Sequence, residues 1–284
     1  MIEGRPSHTA FQVAAARAAH LRFDPAPHVL EDRLAEQLLD DEGRAIIDSY
    51  GDDAPWILLE NRLFLPLRAR YVEDRLAAAY ARGVRQLVVL GAGLDSFAWR
   101  CPDTLSALHI FEVDHPSTQS WKHARLEALG WSIPESTRLV PCDFEHQTAL
   151  QALAATDFDP DAPAIVSWMG GVCYLERATA DAAMRELAEG LAPESEVVFD
   201  TMLPWERLPE RYQALREEMT RYLKGAGEPH INRYAPEDLV AALLAAGFSE
   251  AEIVARETLL HDYVQPAGAD LPVSDRFFLA VARR

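Results

Sequence analysis

The chain has 284 residues, 49% of them hydrophobic, with 27 Lys and Arg against 45 Asp and Glu for a formal net charge of −18. This length and apolar share fit one α/β domain with an added cap, and the acidity excludes nucleic acid as a partner, because binding phosphate takes clustered Lys and Arg. No apolar run is as long as a membrane span and no basic-then-apolar opening reads as a secretory signal; Cys101, Cys142 and Cys173 lack the spacing of a zinc site or disulfide frame, so a cytoplasmic protein without a metal is expected.

Residues 7–80 read as helical. Ala10–His20 is alanine-rich, Leu34–Leu39 carries an apolar stripe, and Arg62–Ala81 is a long amphipathic stretch that stops before Gly83. No strand pattern precedes residue 86, so residues 1–82 are expected to form a helical cap on a domain spanning 83–284. From there strands and helices alternate. Strands are predicted at Gln86–Leu90, His109–Val113, Arg138–Cys142, Ala164–Trp168 and Glu196–Thr201, with two late ones near Glu252–Glu257 and Phe277–Ala282. Helices are predicted near Ser96–Arg100, Pro116–Leu129, Gln147–Ala154, Ala178–Leu191 and Pro236–Ala246. The pattern implies an α/β fold with a mostly parallel seven-stranded sheet and helices on both faces. Residues 203–235 interrupt it as an insertion, predicted to hold a helix over Glu206–Leu223 and a loop through Gly225-Ala226-Gly227.

The most informative stretch follows the first strand. Leu87-Val88-Val89-Leu90 ends in Gly91-Ala92-Gly93. Roughly 20 residues on, Ile110-Phe111 ends in Glu112-Val113-Asp114. A glycine turn after one strand and an acid at the tip of the next make a nucleotide-binding crevice. The glycines let a ligand approach the backbone, and Asp114 is placed to accept from ribose hydroxyls. Dinucleotides and S-adenosylmethionine both use this plan. The dinucleotide fingerprint needs a third glycine, where this chain has Ser96, preceded by Asp95. A carboxylate there repels a pyrophosphate but not a sulfonium carrying an ammonium. The methyl donor is therefore favoured over NAD.

Other candidates lie at the same sheet edge. Glu112 shares its strand side with Asp114 and is a candidate for the donor's ammonium or ribose, or for backbone amides. Asp143 and Phe144 follow the third strand, where a carboxylate can accept from an adenine amino group and an aromatic ring can pack on the base. Met169, Gly170 and Gly171 follow the fourth strand, with Trp168 and Tyr174 as candidate walls of the transfer cavity. Arg68 and Arg70 precede the first strand; an arginine there can grip the donor's carboxylate, or pair on the surface with Glu73 or Asp74. His230, Arg233 and Tyr234, in the insertion loop with Asn232, are candidates for acceptor recognition.

Taken together, Val89-Leu90-Gly91-Ala92-Gly93-Leu94-Asp95 with Trp99-Arg100, then Phe111-Glu112-Val113-Asp114-His115-Pro116, resemble the leucine carboxyl methyltransferase superfamily. The chain is most similar to the bacterial branch of S-adenosylmethionine-dependent O-methyltransferases that includes polyketide O-methyltransferases. The opening Gly4-Arg5-Pro6-Ser7-His8-Thr9-Ala10, Leu67–Tyr71, Gly227-Glu228-Pro229, Pro236–Leu239 and Ala246-Gly247-Phe248 extend the likeness over nearly the whole chain. It implies a Rossmann-like class I methyltransferase fold and S-adenosylmethionine as donor. Gly91, Ala92 and Gly93 would line the donor site, Asp114 would hold the ribose, Asp143 and Phe144 the adenine end, and Arg68 the methionine carboxylate. Two positions depart from the pattern: Met169 stands where many members have glutamate, and His8 where arginine is usual.

The expected reaction is in-line methyl transfer to an oxygen. A carboxylate acceptor is already an anion at neutral pH, whereas a phenol or alcohol needs a base. With His230 the best base available, the sequence favours a methyl ester on a small molecule, a secondary metabolite or a peptide C-terminus. The alternatives are the hydroxyl of a polyketide-like metabolite, an NAD-dependent oxidoreductase, and a binding protein without catalysis.

Overall fold

The computed structural model describes residues 7–144, 146–225, 227–269 and 272–284. The first three residues of the Gly4–Ala10 motif, and Ala226 of the insertion loop, lie outside the described part.

The first quarter is helical: α1 (His8–Phe23), α2 (Ala35–Leu38), α3 (Asp41–Ile47) and the long α4 (Trp56–Ala81). The sheet contains β1 (Gln86–Leu90), β2 (His109–Asp114), β3 (Thr137–Pro141), β4 (Ala164–Trp168), β5 (Glu196–Met202), β6 (Glu250–Ile253) and β7 (Phe277–Arg283). Between the strands run α5 (Phe97–Arg100), α6 (Pro116–Leu129), α7 (Ala149–Leu153), α8 (Arg177–Gly190), α9 (Glu210–Gln213), α10 (Arg216–Gly225), α11 (Pro236–Ala246) and α12 (Arg256–Leu259). Strand order is 3-2-1-4-5-7-6, parallel except for β7, which runs antiparallel between β5 and β6.

Alternation of side chains along the strands makes two apolar layers. Val88, Leu90, Phe111, Val113, Val166 and Phe199 face α7, α8 and α11 through Leu153, Met184, Leu187 and Leu243. On the opposite face Leu87, Ile110 and Ile165 meet Leu76 and Ala79 of α4 and Phe97 of α5. Farther along that face, Val198, Leu279 and Val281 pack with Ala15 and Ala19 of α1 and Leu63, Phe64 and Leu67 of α4. The cap helices thus share a core with the sheet.

Several sequence-based boundaries move, and the long helix expected from Arg62 begins at Trp56. The single helix expected over 206–223 is two: Pro209 disfavours a helical residue before it, so α9 starts at Glu210, and the chain leaves the helix at Ala214-Leu215 before α10 begins at Arg216. The strand expected near 252–257 lies at Glu250–Ile253 instead. Arg283 on β7 pairs with Glu250 at 2.6 Å and Glu252 at 3.1 Å, which holds that register, and α12 begins at Arg256. No helix among the described residues is long and apolar enough to cross a membrane.

Candidate active site

A cavity of about 1150 Å³ opens at the C-terminal ends of β1, β2, β3 and β4, roofed by α1, α4 and the insertion. Ligand pockets usually span roughly 300–1,000 Å³, so this one has room for a donor and an acceptor together.

The half of the cavity at β1 and β2 is built on backbone. Gly91 and Gly93 take φ of +68° and +52°, where a side chain is strained. A Cβ on Gly91 would project into open space, which leaves a cradle fit for a close-lying ligand. Asp114 fixes this turn: Oδ2 accepts from the Gly93 N–H at 2.5 Å and Oδ1 from the His115 N–H at 2.6 Å. Each oxygen keeps lone-pair capacity for a ribose hydroxyl. Burial raises the Asp114 pKa, opposed by the two amides. The helix cap before Pro116 is His115, whose side chain accepts from the Ser117 N–H, so Asp114 is not spent on capping.

Asp95 behaves differently from the expectation drawn at the sequence level. Its carboxylate accepts from the Phe97 N–H at 2.7 Å and lies 3.6 Å from Arg17. The cation offsets part of the repulsion expected toward phosphate. What opposes a pyrophosphate instead is that α5 has four residues and its leading amide is taken.

A polar network ties the cap to this turn. Arg17 donates to the Leu94 carbonyl at 2.6 Å and lies 3.3 Å from Asp32. Ser96 donates to Asp32 at 2.7 Å, while Arg100 donates to Ser96 at 2.9 Å and grips Glu73 with both arms at 2.9 and 2.6 Å. Burial opposes the Asp32 charge, but Arg17 and Arg100 hold its pKa below the ordinary value.

At the β4 end, Gly170 takes φ of +69° and its N–H donates to Asp200 Oδ1 at 2.5 Å. Asp200 Oδ2 accepts from Arg68 Nη1 at 2.6 Å, and a Cβ on Gly170 would sit 3.2 Å from Arg68 Nη2. Glycine is therefore required for the guanidinium to lie across this turn. Arg68 lines the cavity as expected, already half engaged by Asp200. Arg70 instead pairs with Asp74 at 2.8 Å on the surface.

Of the other sequence candidates, Ala92, Asp143, Phe144, Trp168, Met169, Tyr174 and His230 line the cavity. Three do not. Glu112 is on the expected side of β2, but α6 covers it: its carboxylate is 0% exposed and ion-paired with Lys122. Burial pushes its pKa up to about 7 against the pull of Lys122. Arg233 stacks on Trp205, 4.1 Å from the ring centre, and donates to the Leu203 carbonyl at 2.8 Å. Tyr234 is fully buried, donates to Asp181 at 2.8 Å and lies under Arg177. These two hold the insertion to the body of the protein. Met169 packs against the apolar cap layer.

On the half beneath the insertion, His230 Nε2 lies 3.2 Å from the Tyr174 hydroxyl, and the rings meet edge to face. Burial, then Arg233 and Arg276, lower the His230 pKa to about 4, so the imidazole is neutral at neutral pH. Among the described residues its Nδ1 has no hydrogen-bond partner. The insertion closes the cavity against α1. Glu228 accepts from the His8 and Thr9 N–H groups at 2.9 and 3.0 Å, and the Tyr222 hydroxyl meets His8 at 3.0 Å and Gln12 at 2.9 Å. Among the described residues no His, Cys, Asp and Glu side chains are gathered as a metal site.

Sequence reasoning missed Asp200, Arg276 and Glu228. Asp200 left one signal, a lone charge inside the apolar run Val197-Val198-Phe199 to Met202. The other two sit in irregular segments whose partners are remote in sequence.

A glycine turn pinned by an acid on the neighbouring strand, in this sheet order, defines a Rossmann-like class I methyltransferase. The profile of the leucine carboxyl methyltransferase family matches residues 10–188, and the chain belongs to that family. It is 26% identical over 98% of its length to the Bacillus subtilis protein named "Putative S-adenosyl-L-methionine-dependent methyltransferase YktD", covering 93% of that protein. A Mycobacterium tuberculosis relative of similar name, Rv3787c, is 29% identical over 93% of this chain and 92% of its own. Among solved structures, a DUF574-family protein from Streptomyces avermitilis aligns with a TM-score of 0.61 at 15% identity, over 98% of both chains. A Thermobifida fusca structure named "putative methyltransferase" aligns at 0.59 with 17% identity, over 99% of this chain and 96% of the other. At these identities the structures share the fold.

Proposed function

We propose that this S-adenosylmethionine-dependent methyltransferase places the methyl group on a carboxylate oxygen of a small molecule or peptide C-terminus, giving a methyl ester. The donor, when bound, supplies a methyl group already attached to a good leaving group. Asp114 holds the ribose, Arg68 receives the donor's carboxylate with the arms that Asp200 leaves free, and Phe144 packs on the base. The α1 and insertion roof excludes water from the transfer path.

The observation that carries the carboxylate reading is the acceptor wall. Its imidazole, His230, lies among cations with Nε2 against Tyr174. A base titrating near 4 is poorly matched to a phenol or alcohol proton, whereas a carboxylate needs none. Of the lining carboxylates, Glu73, Asp95, Asp114, Glu186 and Glu228 each accept from a protein donor. The unpartnered His230 Nδ1 favours a second reading, a hydroxyl acceptor that delivers its proton there.

Transfer of labelled methyl to a panel of carboxylates, phenols and peptides, followed by mild base, separates the two. Release of the label identifies an ester. A label that survives identifies an ether and refutes the carboxylate reading.

A further inference from the structure

The acceptor chamber contains a buried cation that the fold leaves incompletely paired. Arg276, just before β7, is 3% exposed and lines the cavity. Its Nη2 donates to Asn61 Oδ1 of α4 at 2.7 Å. Its Nε is buried and without a hydrogen-bond partner among the described residues. Glu60 lies 3.9 Å from that nitrogen, beyond hydrogen-bonding reach. The Glu60 carboxylate is already shared, accepting from Tyr212 at 2.7 and 2.9 Å, Ser274 at 3.1 Å and Arg211 at 3.1 Å.

A buried guanidinium with an orphaned donor is costly unless something completes it. The Arg276 guanidinium lies 4.9 Å from the Phe277 ring centre, and Tyr50, Leu58 and Leu65 line the same cavity, which suits an apolar body. A carboxylate is the planar anion that an arginine fork matches. We propose that Arg276, oriented by Asn61, anchors the acceptor's carboxylate, and that the acceptor is an apolar molecule ending in that group. This rests on the carboxylate reading above and adds the residue that selects for it. Arg276 also faces the same chamber as His230 and, after burial and Arg233, adds to the lowering of its basicity.

The test is binding to the full chain saturated with S-adenosylhomocysteine, using decanoate and 4-phenylbutyrate as probes, each against its primary amide. The expected result is at least tenfold tighter binding of the carboxylates. That preference should vanish in Arg276→Gln, with S-adenosylhomocysteine affinity unchanged, and survive in part in Arg276→Lys. Equal binding of acid and amide by the natural chain, or binding of neither, overturns the proposal. So does a preference that persists in Arg276→Gln, which leaves Arg276 as a structural partner of Glu60 and Asn61. If Arg276→Gln does not fold, the acid-amide comparison and Arg276→Lys decide. An ether product with Arg276-dependent carboxylate binding removes the ester reading and keeps the anchor; a methyl ester formed equally well by Arg276→Gln does the reverse.

Discussion

The two halves of the cavity are made in different ways. The donor half uses strand ends: the turn after β1 is held by an acid at the end of β2, and the turn after β4 by an acid on β5. Its parts are fixed by sheet register, with few side-chain torsions between them. The acceptor half draws Asn61 from the cap, His230 from the insertion and Arg276 from the approach to β7. A shared donor asks for the first kind of construction. The second kind lets the acceptor change without disturbing the sheet.

The contrast can be broken experimentally. The largest expected effect is on the donor floor. Arg68→Ala leaves Asp200, 2% exposed, without its cation, and should destabilise the protein by about 3–5 kcal/mol in denaturant unfolding while raising the donor KM. A loss within about 1 kcal/mol, ordinary for surface pairs, would mean the pair is not structural. Next, Asp114→Ala should weaken S-adenosylhomocysteine binding ~10-fold or more through loss of charge-assisted bonds; calorimetry showing unchanged affinity would sink the ribose assignment. Smaller again, Glu228→Ala should cost about 0.5–1.5 kcal/mol and raise the acceptor KM with donor binding intact.

The smallest effect separates the chemistries. For a carboxylate acceptor, His230→Gln should change kcat by no more than about threefold, against the ~10²–10⁴ expected for loss of a general base. The same residue predicts a pH signature. His230 titrates near 4 in the folded chain, and near 6.5 when unfolded. Between those values the unfolded state binds more protons, so stability rises with pH through that window and is fully present above it. Thermal melts should show His230→Gln losing less stability than the natural chain as pH falls from 6.5 toward 4.

The strands and the donor turn were readable because both are local. Alternation and short spacing marked β1, β2, Gly91, Gly93 and Asp114 directly. Glu112 shows where locality fails: strand parity placed it on the correct side, but only the packing of α6 shows that Lys122 covers it. Arg233 and Tyr234 fail likewise. Their loop reaches the cavity at His230, while their own side chains turn to Trp205 and Asp181. Glu60, Asn61 and Arg276 meet across more than two hundred residues, a distance no local pattern spans.

The seam between Glu228 and the start of α1 has a temporal meaning. It joins residues 220 positions apart, and nothing local can preform it, so closure of the roof must wait for the sheet that brings both ends together. Refolding should therefore regain S-adenosylhomocysteine binding, which the strand ends supply, before it regains the preference for acid over amide. Simultaneous recovery would show that the roof closes together with the donor turns.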